Sequence, residues 1–347
     1  MRYPKFLNDN GVIGFTAPSF GCATQPYITG FKRAQDKLTA RGYGIDIGKN
    51  CYSANGIGIS DKPQACAGEL ERMYTSESND VLISCGGGEL MCEILEYIDF
   101  DRIKAANPKW FMGYSDNTNF TFLQNTICDT AAVYGPCAAA YGMDVWHPAL
   151  EDAFAAITGK KSTFEGYEMW ERESLKTEDN PTPEYNLTEV KQLVRYVGNT
   201  ELTKDESVSF EGRLIGGCMD CLVNLLGTKF DYVDEFNKKY ADNGIIWFLE
   251  SCDLNVFAIR RAMWQMDNAG WFKNVAGFII GRPYVYGQEI MGLNQYDAVM
   301  GIIGKYNVPV IMDADFGHLP PAVPIISGST ADIHSKGDKW SVEYTFR

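Results

Sequence analysis

Four short apolar runs punctuate the first part of the chain: Val12-Ile13-Gly14-Phe15-Thr16, Val81-Leu82-Ile83-Ser84, Trp110-Phe111-Met112-Gly113-Tyr114 and Ala131-Ala132-Val133-Tyr134. Each is the length of a buried strand. Tyr43 to Ile47 offers a further strand. Between them lie helical stretches, from Thr24 to Arg41 closed by Gly42, from Lys62 to Tyr74, and onward from Asn117. Apolar strands alternating with helices predict βαβ units and a mostly parallel sheet. Ligands of such sheets bind outside the carboxyl ends of the strands. Two features follow strands and so belong on that edge, the triplet Gly86-Gly87-Gly88 and Ser115.

Ser115 carries the stronger chemical signal. An apolar strand stops at Gly113, and Ser115-Asp116-Asn117 then opens a helix. A sharp strand-to-helix turn holds a serine hydroxyl clear of the sheet and aims backbone N–H groups at the same space. A serine nucleophile needs a base, and the chain has only three histidines. His147 precedes Pro148 in a loop of surface-type residues, and His334 lies near the C-terminus on an expected solvated edge. His318 follows the strand Val308 to Met312 within Asp313-Ala314-Asp315-Phe316-Gly317-His318-Leu319-Pro320-Pro321. Glycine and prolines fix that loop at a strand end, where catalytic groups concentrate. Glu250 ends the expected strand Gly244 to Leu249. It is either a carboxylate emerging into solvent or a desolvated one suited to orienting an imidazole.

The glycine triplet allows close approach of a substrate and frees N–H groups for an oxyanion. It is not Gly-x-Gly-x-x-Gly and no P-loop lysine follows, so a nucleotide cradle is poorly supported. Cys218 and Cys221 have CxxC spacing but no second pair or nearby histidine, and read as two cysteines on a buried helix face. No metal site and no cofactor is expected. The competing possibility is that Asp313 and Asp315 converge with His318 on a metal, which would make Ser115 incidental.

The net charge of −14 argues against nucleic acid as a partner and against an anionic membrane surface. The N-terminus lacks an apolar core with a small-residue cleavage site, and no segment is long and apolar enough to span a bilayer. Ten cysteines without an export signal point to reduced thiols and a cytoplasmic location. Residues 1–158 are expected to form an N-terminal nucleophile domain and 204–347 a C-terminal domain carrying Glu250 and His318. The polar stretch 159–203, with Pro181 and Pro183, reads as a linker or flap over the site. Trp170 in that stretch is expected either to be an exposed ring that contacts substrate or to pin the stretch to the body of the protein.

The ordered set of short motifs resembles the LD-carboxypeptidase family of serine peptidases, which includes the microcin C immunity proteins. The resemblance rests on Thr16-Ala17-Pro18-Ser19, Ser84-Cys85-Gly86-Gly87, Gly113-Tyr114-Ser115-Asp116, Tyr134-Gly135-Pro136, Gly216-Gly217, Phe248-Leu249-Glu250 and Gly317-His318. It covers nearly the whole chain. The fold it implies is α/β, with a parallel-sheet, flavodoxin/Rossmann-like N-terminal domain plus a smaller mixed α/β C-terminal domain. It implies Ser115 as nucleophile, His318 as general base then acid, and Glu250 as the orienting carboxylate. The triad would assemble across the domain interface. The backbone N–H groups of Gly87 and Asp116 would form the oxyanion hole, and Gly86 and Gly217 are expected beside the substrate. The family pattern also implies a homodimer and no metal. Cys85 stands where peptidoglycan-recycling members commonly have arginine, and Cys218 where they often have asparagine. These departures leave two substrates open. One is a muropeptide losing its terminal D-residue. The other is a peptidyl-nucleotide or related amide, as in microcin immunity. A reading from another class, a non-catalytic peptide-binding protein, is separated from both by covalent labelling of Ser115.

Overall fold

A computed structural model describes residues 1–347. The chain divides into two compact units. The first comprises residues 1–161, 173–186 and 324–326; the second comprises 162–172, 187–323 and 327–347.

In the first unit, strands β1 (Val12–Thr16), β2 (Gly44–Ile47), β3 (Val81–Ser84), β4 (Phe111–Gly113) and β5 (Ala132–Tyr134) pair in parallel. Their spatial order is β2-β1-β3-β4-β5, with the short strand Ile325–Ser327 beyond β5. This is the flavodoxin-like order, whose ligand crevice opens where the order reverses, between β1 and β3. Helices α1 (Tyr27–Ala40), α2 (Pro63–Thr75), α3 (Phe100–Ala105), α4 (Thr118–Thr126) and α5 (Pro148–Thr158) complete the unit. The α1 sequence places Phe31, Ala34 and Leu38 at helical spacing, and all three are buried. Phe31 meets Phe15 of β1 edge to face at 5.1 Å. Truncating such a buried ring costs about 3–5 kcal/mol, so this pairing fixes helix against sheet. Pro63 begins α2 at a position where a missing N–H does no harm.

The second unit is built on one nine-stranded mixed sheet. Its strands, with those of two small hairpins, are β6 (Thr163–Glu165), β7 (Met169–Glu171), β8 (Leu187–Val190), β9 (Val194–Val197), β10 (Thr200–Glu201), β11 (Ser207–Cys218), β12 (Ile245–Glu250), β13 (Val275–Gly281), β14 (Glu289–Ile290), β15 (Leu293–Asn294) and β16 (Pro309–Ala314). The chain then lends Ile325–Ser327 (β17) to the first unit's sheet and returns as β18 (Thr330–Lys336) and β19 (Lys339–Thr345). The order is β10-β9-β16-β13-β12-β11-β18-β19-β6. The central strands β11, β12, β13 and β16 are parallel, and the flanks are antiparallel. Helices α6 (Met219–Leu225), α7 (Val233–Lys239), α8 (Val256–Asn268) and α9 (Gln295–Ile303) accompany the sheet.

The stretch 159–203, read from its polarity as a linker or flap, contains β6 through β10. β6 and β9 belong to the large sheet, and β7 pairs with β8. Edge strand β6 buries only its middle residue, Phe164, between exposed Thr163 and Glu165, and edge strand β10 buries none. That half-polar pattern is what an edge strand requires and what composition alone mistakes for loop.

Candidate active site

The serine side is assembled at the carboxyl ends of β1, β3 and β4. Ser115 follows β4, is half-buried, and has a left-handed backbone with φ of 61°. A non-glycine residue in that region is strained, and the strain lifts the hydroxyl out of the strand direction. The Ser115 N–H donates to the Tyr134 hydroxyl at 3.2 Å. Asn117 Nδ2 donates to the carbonyls of Gly86 (2.9 Å) and Tyr114 (3.1 Å), tying the glycine loop to the serine turn. Gly87 lies directly against the serine. A Cβ there would sit 3.2 Å from Ser115 Cβ and 3.3 Å from its Oγ. The Gly87 carbonyl accepts the Phe20 N–H at 2.8 Å, and its own N–H donates to no protein atom.

Asp116 is buried beneath this turn. Its carboxylate accepts from the Ser19 hydroxyl at 2.5 Å, the Met91 N–H at 2.9 Å and Asn119 Nδ2 at 3.0 Å. Burial pushes its pKa up, against the pull of those donors. Ser19 was not singled out from the sequence beyond its motif. It belongs to the site because it joins the β1 loop to the residue after Ser115. Cys85 is wholly buried, and its thiol is held neutral by burial and by the neighbouring Cys22 and Cys51 thiols.

In the second unit, Glu250 ends β12 fully buried, resolving its two readings in favour of the desolvated carboxylate. Its Oε2 meets His318 Nδ1 at 2.8 Å. Two glycines make the room. A Cβ on Gly281 would lie 2.9 Å from Glu250 Cβ, and one on Gly317 would lie 2.8 Å from its Oε2. Burial alone would lower the His318 pKa. The Glu250 charge and hydrogen bonds with Cys252 and Glu250 outweigh it, and the imidazole pKa is raised well above 6.5. The loop after Glu250 is pinned by Asp220, whose carboxylate accepts the N–H groups of Cys252 (3.1 Å) and Asp253 (2.8 Å). Gly217 is buried in β11 beside Leu249, and Cys218 lies opposite Glu250. Cys218 ends β11 as the residue before α6, and Cys221 lies within that helix, both buried.

Trp170 departs from the exposed-ring expectation. Its ring is 2% exposed, so the premise of an exposed aromatic fails. It stacks against Arg282, whose Cζ is 4.5 Å from the ring centroid, and meets Tyr286 edge to face at 5.1 Å. Asp313 and Asp315 are occupied by partners of the same unit. Asp313 accepts from Gln295 and the Tyr296 hydroxyl, each at 2.7 Å. Asp315 binds Arg282 at 2.8 Å and Lys191 at 3.1 Å. No group of three or more histidine, cysteine or acidic side chains is arranged to hold a metal ion. Of the other histidines, His147 caps α5 by accepting the Ala149 N–H, and His334 is exposed on β18.

A left-handed serine at a strand-to-helix turn and a buried carboxylate on an imidazole are the parts of a serine hydrolase. The chain belongs to the LD-carboxypeptidase family. The family's N-terminal domain matches residues 13–135 and its C-terminal domain residues 211–333. It is therefore an enzyme of the serine carboxypeptidase type. A relative from Bacillus subtilis named "Probable murein peptide carboxypeptidase" is 26% identical over 340 residues, covering 96% of this chain and 91% of the relative. The fold is shared with the microcin C7 self-immunity protein MccF in complex with aspartyl sulfamoyl adenosine. That structure has a TM-score of 0.80 at 21% identity, covering 100% of this chain and 99% of the other. It is shared also with an MccF-like protein from Bacillus anthracis, with a TM-score of 0.79 at 21% identity over 99% and 100% of the two chains.

Proposed function

We propose that this enzyme removes the terminal residue of a muropeptide, acting through Ser115, His318 and Glu250. Ser115 Oγ attacks the carbonyl of the scissile amide. His318 takes the hydroxyl proton on Nε2, because Nδ1 is committed to Glu250. The same imidazole then gives that proton to the leaving amine. Water repeats the sequence and releases the acyl group. The N–H groups of Gly87 and Asp116 receive the oxyanion, with Gly86 alongside the substrate. The observation that carries this reading is the 2.8 Å contact between His318 Nδ1 and a wholly buried Glu250. A desolvated carboxylate on an imidazole holds the tautomer a serine nucleophile needs.

The second reading is an immunity-like hydrolase that cleaves peptidyl- or aminoacyl-nucleotide amides. It is favoured by full-length similarity to MccF structures whose ligands are aspartyl sulfamoyl adenosine and adenosine monophosphate. Under either reading the substrate is a small peptide or peptide–nucleotide. We place the enzyme in the cytoplasm, in keeping with its ten free cysteines, and as a homodimer, in keeping with the resemblance to its family. Incubation with a muropeptide tetrapeptide and with a processed microcin analogue, read by mass spectrometry, tests the proposal. Cleavage of the tetrapeptide alone, lost in Ser115→Ala, supports the first reading. Cleavage of the analogue alone transfers the enzyme to the second. No cleavage of either, with no labelling of Ser115 by a serine-directed phosphonate, refutes both.

A further inference from the structure

A cluster of buried charge lies in the second unit and takes no part in the mechanism above. Arg282 directly follows β13 and is 1% exposed. Its guanidinium donates to Asp315 Oδ1 at 2.8 Å, to the Asp313 carbonyl at 3.3 Å and to the Leu319 carbonyl at 3.4 Å. Its backbone N–H donates to the Ala314 carbonyl at 3.2 Å. Asp315 also accepts from Lys191 at 3.1 Å, from Trp340 Nε1 at 3.1 Å and from the Tyr167 N–H at 3.2 Å.

Lys191 and Arg282 face two buried carboxylates, Asp315 and Asp313, and a buried ion pair is a weak source of stability. Charge balance alone would be met by a second lysine in place of Arg282. What a guanidinium adds is a flat fork that reaches several acceptors at once. Here the fork grips the main chain on both sides of His318, at Asp313 before it and at Leu319 immediately after it. Trp170 covers one face of that fork. The neighbouring carbonyl, on Pro320, accepts the Glu171 N–H at 2.7 Å. The loop is left little freedom at either end, and its middle must bring His318 Nδ1 to Glu250.

We infer that Arg282 is a positioning residue for His318, fixing the height of its loop so that the imidazole meets Glu250. The inference rests on His318 acting as the base. A base displaced by about 1 Å can cost on the order of 10²-fold in rate. Arg282→Lys keeps the charge and removes the fork. It is expected to lower kcat 10- to 100-fold, to leave KM within about twofold, and to move the acid limb of kcat/KM to lower pH as the contact with Glu250 loosens. The His318 titration followed by NMR in a Ser115→Ala background should move the same way. Lys191→Met is the control. It shares the burial and the partner Asp315 but touches neither loop carbonyl, so it should lose thermal stability and keep the His318 titration. Arg282→Met combined with Asp315→Leu and Lys191→Met removes all three charges together, and it should reproduce the shifted titration.

An unshifted titration in a folded Arg282→Lys protein would overturn the inference. So would failure of both Arg282 variants to fold, since that would make Arg282 a determinant of the fold alone. Turnover that survives Ser115→Ala would instead remove the serine mechanism, while the NMR comparison still reports on Arg282.

Discussion

Gly87→Ala isolates the contact between the glycine loop and the nucleophile. The added methyl would lie 3.2 Å from Ser115 Cβ and 3.3 Å from Oγ, and it meets no other atom within 4 Å. Ordinary carbon contacts sit at about 3.5–4.0 Å, so Ser115 must yield by a few tenths of an ångström. The backbone of Gly87 is not left-handed, so alanine brings no strain of its own. Through the unfolded chain it contributes about 0.4–1 kcal/mol of stability, which offsets the displacement of Ser115. The cost falls on the hydroxyl and on the N–H beside it. Losing one oxyanion donor typically costs about 10²–10³ in kcat, and a methyl pressed on the nucleophile should fall near the lower end. Gly88→Ala provides the contrast. Its methyl would overlap the Ser19 hydroxyl and lie 3.0 Å from both the Gly58 carbonyl oxygen and the Phe20 nitrogen. That variant should lose thermal stability first. Tetrapeptide cleavage by mass spectrometry and melting by calorimetry read the two effects separately. Unchanged kcat in Gly87→Ala would refute the placement of Ser115 against this loop. A lowered melting temperature equal to that of Gly88→Ala would show that the loop is structural.

Replacing Ser115 or His318 with alanine should each lower turnover on the order of 10³-fold or more, with the double variant little worse; additive losses in steady-state kinetics would argue against a shared unit. The free-enzyme acid limb of kcat/KM should lie above 6.5, since His318 must be neutral to act as base and its pKa is raised. Glu250→Gln should shift that limb downward while lowering kcat, as a pH–rate profile would show. The same shift makes a stability statement. The folded imidazole holds its proton more tightly than the unfolded one. The contribution is therefore full below the ordinary histidine pKa, and it is lost as pH rises through the folded value. Denaturant melts across that window, with His318→Ala as reference, check the sign. Exhaustive chelation should leave turnover intact; activity abolished by chelator and restored by zinc would return Asp313, Asp315 and His318 to consideration as metal ligands.

Much of the fold was legible because its central strands are buried on both faces and read as unbroken apolar runs. β1 and β3 occupy the residues their hydrophobicity predicts. The edges were not legible. β6 alternates exposed and buried residues and β8 exposed and half-buried ones, over three or four positions, too few to separate from a polar loop. The assignment of these strands to units was hidden for the same reason. Residues 173–186 belong to the first unit although strands of the second lie on both sides of them in sequence.

The candidate site was legible wherever a chemically marked residue ends an apolar run. Glu250 and Ser115 both carry that mark. So does Arg282, which follows the run ending at Gly281 and precedes a proline. Its role is not legible there, because a cation is neither the base nor the acid of a serine mechanism. The burial of Trp170 is hidden for a related reason. Its neighbours Glu168, Glu171 and Arg172 are charged, and a ring among charges looks exposed. Yet a guanidinium can cover an aromatic face as well as another ring can, and desolvation strengthens the pairing. Trp170 is buried by Arg282, and Arg282 by the loop whose carbonyls it binds. A charge-rich sequence around a tryptophan is thus compatible with a core, provided one of the cations lies elsewhere in the chain. Here that cation comes from the end of β13, more than a hundred residues away along the chain. Only the folded sheet brings it to the Trp170 ring and the His318 loop together.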